Sequence, residues 1–104
     1  MKTVCILGGF NLTNKLHELH IIVSRIKNYK FLFPDLDHVK ELTLYYELIR
    51  DIINLSDSII LINDNKSSNT FSIIFGMAFQ SNKEMKINSF DNIKNYFEGK
   101  GGEV

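Results

Sequence analysis

The sequence predicts a small doubly wound α/β domain, with a mainly parallel four-stranded sheet flanked by helices. Three observations carry that expectation. Short continuous apolar runs recur along the chain, the stretches between them place apolar residues at helical spacing, and the two kinds of segment alternate four times. Short connections between parallel strands require right-handed crossovers, which put helices on both faces of the sheet.

The first strand is read at Thr3 to Leu7, an apolar run broken by Gly8 and Gly9. Asn11 or Thr13 is positioned to cap a helix whose stripe is Leu12, Leu16, Leu19, Val23 and Ile26, running to about Asn28. Tyr29 to Phe33 is a second, aromatic strand ended by Pro34, with Asp35, Asp37 and His38 in a polar connection. Val39, Leu42, Tyr46, Ile49 and Ile53 return to the helical period, and that helix ends near Leu55. Ser58 to Asn63 is rich in β-branched residues and too short for a helix, so it is the third strand. Phe71, Ile74, Phe75, Ala78 and Phe79 share one face of a third helix that starts near Asn69 or Thr70 and ends around Ser81. Met85 to Phe90 supplies the fourth strand and Asp91 to Phe97 a last short helix. Residues 1–98 thus form one domain, and the glycine-rich, charged residues 99–104 read as a flexible C-terminal tail.

A chain of 104 residues has room for one hydrophobic core and no second domain. With 44% hydrophobic residues and a single proline it has globular composition, which excludes disorder as the main state. Twelve basic and twelve acidic side chains cancel, leaving no strongly positive surface, so nucleic acid is not the expected partner. The apolar run in Met1 to Phe10 is about seven residues, too short to span a bilayer, and no membrane partner is expected. The lone Cys5 has no partner for an internal disulfide, and no Cys/His cluster has zinc spacing, which fits a reducing, cytoplasmic setting without a metal or cofactor.

In a doubly wound sheet ligands bind beyond the carboxyl ends of the strands, where strand order reverses. The segments to search are therefore Gly8 to Asn14 and Asn63 to Thr70. Gly8, Gly9, Phe10 and Asn11 join the first strand to the first helix, where missing side chains let a ligand approach the backbone and free N–H groups. The alternative is a tight turn that needs glycine. Ser67, Ser68, Asn69 and Thr70 open the third helix with hydroxyls, an amide and unpaired backbone donors suited to phosphate or ribose oxygens, or serve as ordinary caps. Asp64 stands at the ligand end of the third strand, whereas Asp57 stands at its opposite end, where a carboxylate is more readily structural. His17 and His20 lack a third ligand partner, Cys5 belongs to a buried strand, and Tyr45 and Tyr46 diverge by about 100° on their helix, so one of them belongs to the core or an interface.

The stretch Tyr46 to Met85 resembles the nucleoside 2-deoxyribosyltransferase family. It has a helix, Ser56-Asp57 ahead of an apolar strand, a polar loop, Gly76-Met77-Ala78 in the next helix, and Asn82-Lys83 where the family has a lysine-containing turn. Ile6-Leu7-Gly8-Gly9-Phe10 is similar to the family's opening strand with its glycine and aromatic residue. The resemblance implies a flavodoxin- or Rossmann-like fold and marks Asp57 as an active-site position. It also implies a nucleophilic glutamate two residues before the glycine, but this chain has Ile74 there, and Ser68 replaces an acidic loop residue. A hydrocarbon side chain is no nucleophile. The expected function is therefore binding of a nucleoside, nucleotide or sugar phosphate without the usual transferase chemistry. The alternatives are an active N-glycosyl transferase or hydrolase using Asp64 or Asp57, and a protein-association module. Exposed sheet edges and an excess of aromatic residues further suggest a homodimer.

Overall fold

A computed structural model describes residues 1–9, 12–34, 41–63 and 69–100. In chain order they form β1 (Lys2–Leu7), α1 (Thr13–Val23), β2 (Tyr29–Leu32), α2 (Leu42–Leu55), β3 (Ser58–Ile62), α3 (Asn69–Gln80), β4 (Glu84–Asn88) and α4 (Phe90–Lys100). The strands make one sheet in the order β2-β1-β3-β4, and every neighbouring pair is parallel. This is a Rossmann-like, doubly wound sheet, with the strand sequence of the flavodoxin-like order up to its fourth strand.

The central pair decides the layering. β1 and β3 run side by side with Val4 opposite Ser58 and Leu7 opposite Leu61. All of β3 and the last four residues of β1 are buried, so both strands read as continuous apolar runs rather than alternating ones. Successive side chains point to opposite faces. Val4, Ile6, Ile60 and Ile62 meet Leu16 and Leu19 of α1 and Ile93 and Phe97 of α4 in one core. Cys5, Leu7, Ile59 and Leu61 meet Tyr45, Ile49 and Ile52 of α2 and Ile74 and Ala78 of α3 in the other. Lys94 of α4 also reaches Glu18 of α1 at 2.8 Å, an exposed ion pair of small energetic weight beside the core contacts.

Several boundaries depart from the sequence reading for identifiable reasons. α1 stops at Val23 rather than near Asn28, because the Ser24 hydroxyl donates to the Ile21 carbonyl at 2.6 Å and the Ile26 N–H turns back to Val23. Its N-cap is Leu12, not Asn11 or Thr13, since the turn that brings the Leu12 N–H to the Gly9 carbonyl also drives Leu12 into the core. β4 ends at Asn88 and Phe90 belongs to α4: Ser89 Oγ accepts the Asn92 N–H at 3.2 Å, which starts the helix there. α4 runs on through Gly99 and Lys100, the first two residues of the segment read as a tail, while 101–104 lie outside the described residues, as does Val39 at the expected start of the second helix. In α2 it is Tyr45, not Tyr46, that is fully buried. In α3, Ile74 and Ala78 are buried while Phe75 and Phe79 are exposed.

Tyr45 reaches across to the end of β1, where its hydroxyl donates to the Gly8 carbonyl at 2.7 Å. Burial, with a smaller contribution from neighbouring Tyr46, pushes its phenol well above the ordinary tyrosine range. The unfolded chain ionises this group near pH 10. The stability tied to the neutral phenol is therefore complete below that pH and is lost as pH rises toward the folded-state value. Burial likewise raises the Cys5 thiol, which acts in the same direction. Urea unfolding should show stability level through neutral pH and declining above about pH 9–10. Tyr45→Phe should cost about 1–3 kcal/mol at neutral pH, by leaving the Gly8 carbonyl unpaired, and should flatten the alkaline decline.

Candidate functional site

From β1 the chain leaves through α1 across one face to β2, and from β3 it leaves through α3 across the other face to β4. The two exits diverge at the carboxyl ends of β1 and β3, beyond Leu7 and Ile62, the switch point at which a doubly wound sheet generally takes its ligands. Gly8 and Gly9, both buried, follow β1 at this point. A Cβ at Gly8 would stand 3.0 Å from Leu12 Cδ1 and 3.7 Å from Ile62 Cβ, so the ends of both central strands and the start of α1 pack closely here and a side chain would require Leu12 to shift. The Tyr45 hydroxyl holds the Gly8 carbonyl from below, and the Leu12 N–H holds that of Gly9 at 2.9 Å.

The start of α1 lies at this switch point. Leu12 at the N-cap of α1 supplies no side-chain acceptor, which leaves the first-turn N–H groups without a side-chain cap at the positive end of the helix dipole. Lys15 adds a cation on the first turn, its ammonium 5.3 Å from the centre of the Phe90 ring at the start of α4. α3 starts at the same end of the sheet, with Asn69 its first residue and Thr70 half-buried in its first turn. Of the segments singled out from sequence, Gly8 and Gly9 after β1 and Asn69 and Thr70 at the start of α3 lie at the carboxyl end of the sheet. Phe10, Asn11, Asp64, Ser67 and Ser68 lie outside the described residues.

Asp57 lies at the opposite end of the sheet. Its carboxylate Oδ2 accepts the Thr3 N–H at 2.8 Å, and its own N–H donates to the Thr3 carbonyl at 2.7 Å, a reciprocal clamp between the starts of β1 and β3. Lys83, from the turn the resemblance singles out, is at the same end. Its ammonium donates to the Ile53 carbonyl and, at 3.1 Å, to the Asn54 carbonyl, capping the C-terminus of α2 where the helix dipole is negative. Asn82 ahead of it has φ 58°, the left-handed conformation that ends α3.

Ile74 is fully buried beneath α3, packed in the cluster that holds Tyr45, Leu7 and Ile59. The side chain at this position points into the core. The described carboxylates at the ligand end of the sheet, Glu41 before α2 and Asp91 in α4, are exposed and adjoin the outer strands β2 and β4. Cys5 is buried within β1, with its thiol ionisation suppressed by that burial and only partly offset by Ser56 and Lys83. His20 stacks on Phe33 at 4.7 Å, and among the described residues no three His, Cys, Asp or Glu side chains come together as a metal site.

A concavity of about 370 Å³ lies between β4 and α4. Ile60, Ile93 and Phe97 form its apolar base, and Lys86, Asn92 and Tyr96 stand around it. Its polar side chains are partly committed, since Asn92 Nδ2 donates to Asn88 Oδ1 at 2.8 Å. Sequence reasoning missed this groove, and also Tyr45 as the support of Gly8. The phase of Tyr45 with Ile49 and Ile52 was the available signal for the latter.

Comparison with models of known protein families finds no match, and neither does comparison with curated proteins or with solved structures. The fold and site geometry therefore rest on this chain alone. No helix among the described residues is long and apolar enough to cross a membrane.

The positions of Asp57 and Lys83 make them stability residues by their contacts. Asp57→Ala should cost about 1 kcal/mol and Lys83→Met about 1–2 kcal/mol in chemical unfolding. Neither should alter the affinity of any ligand bound at the other end of the sheet, as measured by calorimetry.

Proposed function

We propose that this domain binds a nucleoside, nucleotide or related sugar phosphate at the switch point between the ends of β1 and β3, without carrying out N-glycosyl transfer. The observation that carries the reading is the convergence of the Gly8–Gly9 backbone with the starts of α1 and α3 at the point where strand order reverses. Backbone N–H groups at a helix N-terminus suit a phosphate or a sugar hydroxyl, and Lys15 adds positive charge nearby. The glycine at position 8 lets Leu12 and Ile62 close in on the end of β1 and so fixes the start of α1 at this point.

The resemblance to nucleoside 2-deoxyribosyltransferases supports the same ligand class, and the residue in the nucleophile position argues against the family's reaction. Glycosyl transfer through a covalent intermediate needs a carboxylate facing the anomeric carbon and a second acid or base to assist departure of the base. Ile74 is a core residue, and Asp57 is engaged with Thr3 at the far end of the sheet. What remains is a cradle for recognition.

A thermal-shift screen against nucleosides, deoxynucleotides, NAD and sugar phosphates tests the reading. A ligand at 100 times its dissociation constant adds about 2.7 kcal/mol, on the order of 10 °C for a domain of this size. A saturable shift with one nucleoside-containing or phosphorylated compound, with no free base released on prolonged incubation at high protein concentration, is the expected result. Absence of any shift removes the binding reading, and release of base from a bound nucleoside restores catalysis.

A further inference from the structure

We propose that the outward face of α3 is a self-association surface that pairs two copies of this chain, α3 against α3. Three features of the helix lead there. First, Asn69–Gln80 contains no charged residue, although the helix lies on the outside of the sheet. Second, it exposes an aromatic ladder: Phe75 is 36% and Phe79 67% exposed, their rings stacked at 6.2 Å with an interplanar angle of 17°. Ile73 is 46% exposed on the same helix, and Ile87 of the edge strand β4 is 40% exposed on the sheet face that α3 covers.

Third, Gly76 has no packing reason among the described residues. Ile74 and Ala78 face the sheet, so at 100° per residue Ser72, Gly76 and Phe79 lie on the opposite side of the helix. A Cβ at Gly76 would meet nothing within 4 Å, and glycine in a helix interior is less stable than alanine. A small residue at the middle of an exposed helix lets a second backbone approach closely. The notch at Gly76 is flanked by a projecting Phe79 ring, so knob and hole lie on one surface and an isologous two-fold pairing satisfies both at once.

Area and charge select the second copy as the occupant. Phe75 and Phe79 lie about 40° apart on the helix, and aromatic side chains bury roughly 150–250 Å² each when fully covered, so the two rings together expose about 200 Å² of continuous apolar surface. A stable dimer removes about 800 Å² per partner, a little over half of it apolar, and these two rings alone supply a little under half of that share. A charged macromolecule finds no counter-charge on α3. A lipid surface calls for Lys or Arg beside the apolar stripe, and the cation that follows the helix, Lys83, is engaged by α2. Two copies with zero formal net charge meet without long-range repulsion.

Sedimentation equilibrium and light scattering of the full chain test the proposal. The wild type should show twice the 12.0 kDa chain mass and dissociate on dilution. Phe79→Glu, altering a side chain outside the core, should give the single-chain mass with unchanged circular dichroism. Gly76→Ala should raise the thermal midpoint of the dilute, monomeric protein by improving helix propensity, while weakening self-association at least about tenfold. A single-chain mass at every concentration, or a dimer that both substitutions leave intact, overturns the proposal. So does a monomer that floats with mixed phosphatidylcholine and phosphatidylserine vesicles through Phe79, which would assign the face to lipid.

Discussion

The parallel pairing of β1 with β3 is the constraint from which the other features follow. Because both strands are buried on both faces, each must be covered by helices above and below, and a chain of this length supplies two helices per face. Right-handed crossovers then send α1 and α3 to opposite sides. That divergence sets the switch point at the carboxyl ends of the central strands. It also leaves β2 and β4 as the two outer strands, each paired on one side within the sheet.

The two ends of the sheet have different chemistry. At the amino end, polar side chains are engaged in holding the fold together: Asp57 joins β3 to Thr3, Ser56 Oγ donates to the Ile52 carbonyl at 2.7 Å, and Lys83 caps α2. At the carboxyl end, the Tyr45 hydroxyl fixes the Gly8 carbonyl, and the first turn of α1 has no side-chain cap at Leu12. Donors left without intrahelical partners at a helix start favour an anionic or hydroxyl-bearing ligand.

Much of this was legible in the sequence, and what was not has physical causes. β3 could be read from Ser58-Ile59-Ile60-Leu61-Ile62 because a strand covered on both faces needs no alternation. Gly8 and Gly9 could be read as the break that ends β1 because glycine directly follows the buried apolar run. The stripe Phe71, Ile74, Phe75, Ala78, Phe79 was correctly helical, yet periodicity does not say how wide a stripe the sheet covers. α3 overlies β3 and the edge strand β4, and with no further strand beyond, Phe75 and Phe79 emerge from cover. The contact of Lys83 with α2 joins residues about thirty positions apart and leaves no local signature. Asp57 carried two conflicting indications, one from topology and one from family resemblance, and its partner Thr3 places it with the fold's own bonding.

The most direct test of a ligand site at the β1–β3 junction is amide chemical-shift mapping of the ¹⁵N-labelled protein during titration with the best nucleoside or nucleotide from a binding screen. The account predicts saturable shifts centred on Gly8, Gly9, Leu12, Lys15 and Thr70, with Asp57 and Lys83 undisturbed. Shifts centred instead on Lys86, Asn92 and Tyr96 would move the ligand to the groove between β4 and α4 and contradict the account.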